Sequence, residues 1–183
     1  MQRLQSVDPQ TATGRTKELL DTVQQAFGLV PNATRVMANS PAVLESYLRF
    51  SKAMRELKIG ETLHNQVKLG TSESNDCDYC TSVLCAVAPS AGLSAEEILA
   101  GRTGNTEDER TQAALSFAGA VLETGGKVSD DQLTAIKQAG FDDARIVEIV
   151  ASVVLGCFTN FLNNVADTEL DVPAAAPVAA ETA

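Results

Sequence analysis

Tryptophan is absent from this sequence, histidine occurs once, at His64, and aromatic residues make up only 4%. A core without large rings has to be built from Leu, Val, Ile and Ala, which suits closely packed helices. Positive charge is also scarce: 14 Lys and Arg face 24 Asp and Glu, a formal net charge of −10. Phosphates would be repelled, so neither nucleic acid nor an anionic membrane is an expected partner. Long apolar runs are missing too. Residues 1–9 hold none of signal-peptide length. The longest uncharged run, Ile149 to Ala166, is interrupted by Ser152, Gly156, Thr159, Asn160, Asn163 and Asn164. That pattern predicts a central buried helix rather than a membrane span. A cytoplasmic location follows, in which four cysteines are expected to be reduced and a structural disulfide framework is not.

What is present is helical punctuation. At 183 residues the chain fits one domain. We expect an irregular arm over 1–12, a helical domain over 13–172 and a disordered Ala/Pro-rich tail over 173–183. Leu20, Val23 and Phe27 recur at helical spacing before Gly28 and Pro31. Asn32 can cap a short helix. Ser40-Pro41 starts the next, carrying Val43, Leu44, Tyr47, Leu48, Phe50 and Met54 inward. Another begins at Ile59-Gly60 and runs to about Glu73. Asp76 is a good N-cap for a helix from Cys77 to Ala88, stopped by Pro89. Ser94-x-x-Glu97, Thr106-x-x-Glu109 and Ser129-x-x-Gln132 read as capping boxes opening helices near 95–100, 107–123 and 130–138. Gly101, Gly125-Gly126 and Gly140 sit where C-cap glycines belong. The last helix starts after Asp142, reaches about Thr168, and is apolar on more than one face. It is therefore central in the domain or shared with a neighbouring subunit. With no alternating strand, the expected fold class is all-α, with about seven or eight helices.

The stretch that carries chemistry is Cys77-x-x-Cys80 at a helix N-terminus. Amide donors and the helix dipole stabilise a thiolate there, while Asp76 and Asp78 oppose it. Such a pair can cycle between dithiol and disulfide. Two other readings stay open: a zinc half-site and two inert buried thiols. Zinc wants four ligands, and only Cys85, Cys157 and His64 remain.

Asp76-Cys77-Asp78-Tyr79-Cys80 followed by Gly92-Leu93-Ser94 resembles the alkylhydroperoxidase D / carboxymuconolactone decarboxylase-like superfamily. Phe27-Gly28-Leu29-Val30-Pro31-Asn32 and Val36-Met37-Ala38-Asn39-Ser40-Pro41 resemble the opening of its peroxidase-related members. The stretch from Phe158 to Pro173 resembles their closing helix, so the likeness covers roughly 15–173. It implies an all-α fold assembling as a trimer or hexamer, with no cofactor. It also implies a thiol peroxidase in which Cys80 attacks the hydroperoxide, Cys77 resolves the product, and an external dithiol reductant restores the pair. The family's proton relay is missing. Asn65 stands where that relay has a Glu, Leu84 where it has a His, and Asn164 where the closing helix usually carries a His.

Six further residues bear on this. Glu61, one turn before Asn65, could reach the thiols in place of the lost Glu, or be a solvated first-turn residue. His64 is expected at a surface or interface. Leu84 would dry the pocket and raise a thiol pKa. Tyr79 could donate a hydrogen bond or simply pack. Cys85 and Cys157 read as core thiols, Cys85 with an extra redox role as the alternative. The expected function is thus a thiol-dependent peroxidase with an altered relay. The alternative is a weak or inactive scaffold that binds a hydrophobic ligand. A lyase, as some relatives are, would need His and Arg chemistry that a chain with one His is poorly equipped to supply.

Overall fold

A computed structural model describes residues 2–178. Among them are nine α-helices and no strand. They are α1 (Gly14–Phe27), α2 (Asn32–Met37), α3 (Pro41–Ala53), α4 (Glu61–Ser74), α5 (Asp78–Val87), α6 (Ala95–Thr103), α7 (Glu109–Thr124), α8 (Asp130–Gln138) and α9 (Asp143–Ala166). Single 3₁₀ turns at Met54–Glu56 and Ala88–Ala91 close α3 and α5. The all-α expectation holds. The count is nine against the expected seven or eight, and the short helix expected at Asn32 forms as the six-residue α2.

The punctuation is partly as read. Ser94 and Ser129 form complete capping boxes with Glu97 and Gln132. The third box does not form. Asp108, an equally good acceptor two residues on, caps α7 by accepting from the Thr111 amide. Asp76 likewise gives up the cap of α5 to Cys77 and takes a left-handed turn with φ 48°. Phe27, at the end of the α1 stripe, is exposed, and of the residues expected inward from the helix at Ser40-Pro41 Leu44 and Met54 are buried, Met54 in the 3₁₀ turn that closes α3. Asn32 lies inside α2, which Pro31 caps. Gly101 is not a cap either; Gly104 takes that place and Gly101 lies within α6. A Cβ at Gly101 would stand 2.9 Å from the Gln66 Cα of α4, so the missing side chain sets how closely the two helices pack.

α4 is the hub, packed against α5, α6, α7 and α9. Its apolar side joins Leu63 and Val67 to Ala114, Phe117 and Val121 of α7 and to Ile149 and Val153 of α9, the main core. A second cluster holds α1 to α3 together through Leu19, Leu20, Val23, Met37 and Leu44, with Leu162 of α9 against it. α4 and α9 run parallel. His64 meets Ser152, Thr71 meets Gly156, and Ser72 meets Asn160, in rising order along both. Gly156 makes the approach possible, since a Cβ there would be 2.9 Å from the Thr71 methyl. Among the described residues α9 alone is long and apolar enough to cross a membrane, by length and composition. Its buried face carries Ser152, Asn160 and Asn163, as suits a helix packed on protein.

The arm is held by backbone bonds from Arg3 and Leu4 to the Ala166 carbonyl and from Val7 to that of Arg35. Of the expected disordered tail, residues 173–178 are described. There the Ala175 amide donates to Ser82 Oγ, and the Ala176 carbonyl accepts from Arg102. Residues 179–183 lie outside the described residues.

Candidate active site

The turn Asn75-Asp76 reverses the chain, and the Cys77 amide donates to the Ser72 carbonyl at 3.0 Å, fixing α5 against the end of α4. Cys77 is the N-cap of α5 and Cys80 its third residue. The spacing thus places both side chains on one side of the first turn, and they are joined as a disulfide with Cα atoms 5.3 Å apart. The Cys80 amide donates to Cys77 Sγ at 3.4 Å, so Cys77 takes the place an oxygen usually fills at a cap. With Ala33, Tyr79 and Val83 the pair forms a small cluster separate from the main core. Cys77 is 1% exposed and Cys80 6%.

Among the described residues, a side chain from another helix reaches Cys80 Sγ. Asn163 of α9, itself buried, donates through Nδ2 to Cys80 Sγ at 3.3 Å. Its Oδ1 accepts from Thr168 Oγ1 at 2.8 Å, just past the end of α9. Beside this, Asn160 donates to Ser72 Oγ and accepts from Asn75, whose amide nitrogen also lies 3.8 Å from Cys157 Sγ. A buried polar seam thus runs between α4 and α9 and ends at the thiol pair.

The residues singled out from the sequence are scattered around it. Asn164 is exposed and donates to the Asn75 carbonyl; it is its neighbour Asn163 that faces Cys80. Glu61 is exposed at the start of α4. It lies about 16 Å along the helix axis from Ser72, beside Cys77, at 1.5 Å per residue. Asn65 is half-buried on α4, and Leu84 is buried one turn beyond Cys80. Tyr79 packs in the thiol cluster with its hydroxyl turned away. It donates to Asp171 at 3.1 Å and accepts from the Ala33 amide at 3.2 Å. Burial, with the Asp171 carboxylate adding to it, pushes its pKa up against a lowering bond from Ala33.

His64 corrects an expectation. It is not at a surface but buried, with Nδ1 2.8 Å from Ser152 Oγ. Burial, and then the Lys68 charge one turn on, push its pKa down to about 4. No polar residue of the surface was needed to hold it, because Ser152 on α9 provides a buried partner. Cys85 and Cys157 are half-buried, and burial pushes the Cys85 thiol up. Among the described residues no three His, Cys, Asp or Glu side chains stand close enough to hold a metal ion.

A groove of about 510 Å³ lies between the arm, α2, α3 and α9, lined by Leu4, Val36, Met37, Val43 and Leu162 with Arg3 at its edge. Neither cysteine lines it.

No family model and no curated protein matches the chain. Solved structures do. A variant of the debrominase Bmp8 in complex with 2,3,4-tribromopyrrole matches with a TM-score of 0.78 and 19% identity, over 93% of both chains. An uncharacterized peroxidase-related protein from Silicibacter sp. TM1040 matches at 0.75 and 17%, over 92% of this chain and 94% of that one. An alkylhydroperoxidase AhpD core, a peroxidase-related protein from Ralstonia eutropha JMP134, matches at 0.75 and 18%, over 93% and 92%. At these identities the likeness is one of fold, and the chain has the all-α alkylhydroperoxidase D-like fold with a Cys77–Cys80 pair at the N-terminus of α5.

Proposed function

We propose that the chain is a thiol-dependent peroxidase that cycles Cys77 and Cys80 between dithiol and disulfide. The observation that carries this is the pair itself: two cysteines within bonding distance on the first turn of α5, one capping the helix and the other receiving an amide from α9. The Cys80 thiolate attacks the outer oxygen of an organic hydroperoxide. An S–O bond forms, the O–O bond breaks, and the alkoxide leaves and takes up a proton as an alcohol. Sulfur is oxidised by two electrons to a sulfenic acid. Cys77 then condenses with it, expelling water and forming the disulfide. An external dithiol reductant, oxidised in turn to its own disulfide, returns both thiols. The N-cap position of Cys77 suits the resolving step, since the Cys80 amide and the helix dipole favour its thiolate. The setting is a reducing compartment such as the cytoplasm, and the assembly a homo-oligomer, a trimer or hexamer.

With Asn65 and Leu84 in the relay positions, general acid–base help is missing, which is typically worth ~10²–10⁴-fold. Turnover is therefore expected to be slow but measurable. Reduced protein assayed with cumene hydroperoxide and a dithiol reductant should consume peroxide above a Cys80→Ser control. Cys77→Ser should give a single burst that stalls at the sulfenic acid. Consumption equal to that of Cys80→Ser rejects the proposal.

A second reading is a non-catalytic scaffold or binder of hydrophobic ligands. It is favoured by the near-complete burial of Cys80 and Leu84 and by an apolar groove that the thiols do not line. Mild peroxide should remove two titratable thiols if the pair is redox-active and none under this reading. Because the fold also carries a debrominase, 2,3,4-tribromopyrrole belongs in the same assay as a second oxidant for the dithiol.

A further inference from the structure

We infer that Asn163, held in orientation by Thr168, is the catalytic hydrogen-bond donor that stabilises the Cys80 thiolate. The inference rests on Cys80 being the nucleophile of the dithiol cycle. Three observations carry it.

The first is contact. Asn163 Nδ2 is 3.3 Å from Cys80 Sγ, and this is the only side-chain donor to that sulfur among the described residues. The second is orientation. An amide can present either its oxygen or its nitrogen. A thiolate or disulfide sulfur has no proton to give, so an oxygen turned toward it would have no partner. With the nitrogen toward sulfur, Oδ1 meets the Thr168 hydroxyl at 2.8 Å and both ends of the amide are satisfied. Thr168 is itself fixed, its amide donating to the Asn163 carbonyl at 3.1 Å across the left-handed turn at Asp167. The third is burial. Asn163, Thr168 and Cys80 are all buried, so water competes little for the bond.

A donor aimed at sulfur binds the thiolate more strongly than the thiol, because the bond is charge-assisted only in the ionised form. It therefore lowers the thiol pKa in a site that burial would otherwise push up. Asn163 cannot take up or release a proton at neutral pH, so it does not replace a relay. It supplies the other half of activation, holding the charge once the proton has gone to solvent. Thr168 acts through it as a positioning residue.

The test needs no peroxide. In a Cys77→Ser background, the rate of iodoacetamide alkylation at Cys80 is followed against pH, with the Cys80 peptide resolved by mass so that Cys85 and Cys157 do not interfere. Asn163→Ala should move the midpoint upward and slow alkylation at pH 7 roughly tenfold. Asn163→Asp, which sets a carboxylate against the sulfur, should move it further. Thr168→Val should shift it the same way by less. A midpoint unchanged in Asn163→Ala and Thr168→Val overturns the inference. If circular dichroism shows Asn163→Ala unfolded, Thr168→Val decides alone. A chain that turns over no hydroperoxide yet shows the midpoint shift loses the peroxidase reading and keeps the donor.

Discussion

His64 is a residue whose position makes a measurable demand on solution pH. Its ring is buried against Ser152, and its pKa falls to about 4 in the folded chain from an ordinary 6.5. Above the ordinary value both states are neutral and the residue adds no pH dependence. As pH falls below it, the unfolded chain takes up a proton that the folded chain refuses, so stability is lost down to the folded pKa. The slope approaches about 1.4 kcal/mol per pH unit, or about 2 kcal/mol between pH 7 and 4.5. His64→Gln can keep a bond to Ser152 without titrating. Urea unfolding of the two proteins should therefore diverge by about that amount at pH 4.5, the native chain being the one that weakens more. Parallel curves would mean that His64 is solvated. The sequence did not disclose this burial, since a lone His on a helix gives no sign of its partner. Asn163 was legible only as one polar residue in an uncharged run. The clue was spacing: Ser152, Asn160 and Asn163 fall on one helical face, at intervals of eight and three. The resemblance pointed to Asn164 instead, one residue and about 100° away.

α9 shows how much a single element can and cannot declare. Its length, its start at Asp142 and its burial were readable from apolar density and an N-cap, and Asp142 does cap it by accepting from the Arg145 amide. Capping signals failed where two acceptors competed, as Thr106 and Asp108 did for α7, because local chemistry is nearly equal and packing decides. The apolarity of α9 on more than one face offered two explanations, and a single chain uses up only one. One face packs on α4 and α7. The other leaves Val147, Val154, Phe161 and Val165 more than half exposed. Val147, Val154 and Phe161 are seven apart, and Phe158 and Val165 form a second row four residues offset. That is the seam by which helices of identical chains pair. We propose that this row is covered by a second copy in the homo-oligomer. Light scattering on the full chain should give a multiple of the 19.3 kDa protomer. Val154→Asp with Phe161→Asp should shift it to the protomer mass with helix content retained. A native chain that runs as a monomer at micromolar concentration sinks this assignment.

At the scale of the molecule, the described C-terminal segment binds the separate clusters into one body. Past α9, the Glu169 carbonyl accepts from the Asn32 side chain, and Asp171 accepts from the Asn32 amide and the Tyr79 hydroxyl. Further on, Ala175 donates to Ser82 and Ala176 accepts from Arg102. The segment therefore crosses α2, α5 and α6 directly over the helix that carries the thiols, and it begins at Thr168, which orients Asn163. Composition gave no hint of this, because an Ala/Pro-rich stretch has no periodicity and its bonds run through backbone groups and a single Asp. Cys80 is nearly buried, and the strap lies across the helix that carries it. Asp171→Ala removes the acceptor of the buried Tyr79 hydroxyl and of the Asn32 backbone amide in one change, leaving the Glu169 carbonyl as the strap's remaining bond to α2. The two lost bonds, one of which leaves the buried Tyr79 hydroxyl without its acceptor, should together cost about 1–3 kcal/mol of stability in urea unfolding. If the strap is the barrier, dithiothreitol should reduce the Cys77–Cys80 disulfide several-fold faster in this variant under conditions where both proteins are fully folded. Tyr79→Phe, which keeps the Asp171–Asn32 bond, should lie between. An unchanged reduction rate in a variant of lowered stability would leave the strap a purely structural brace and place the route to Cys80 elsewhere, on the side of α9 and the polar seam.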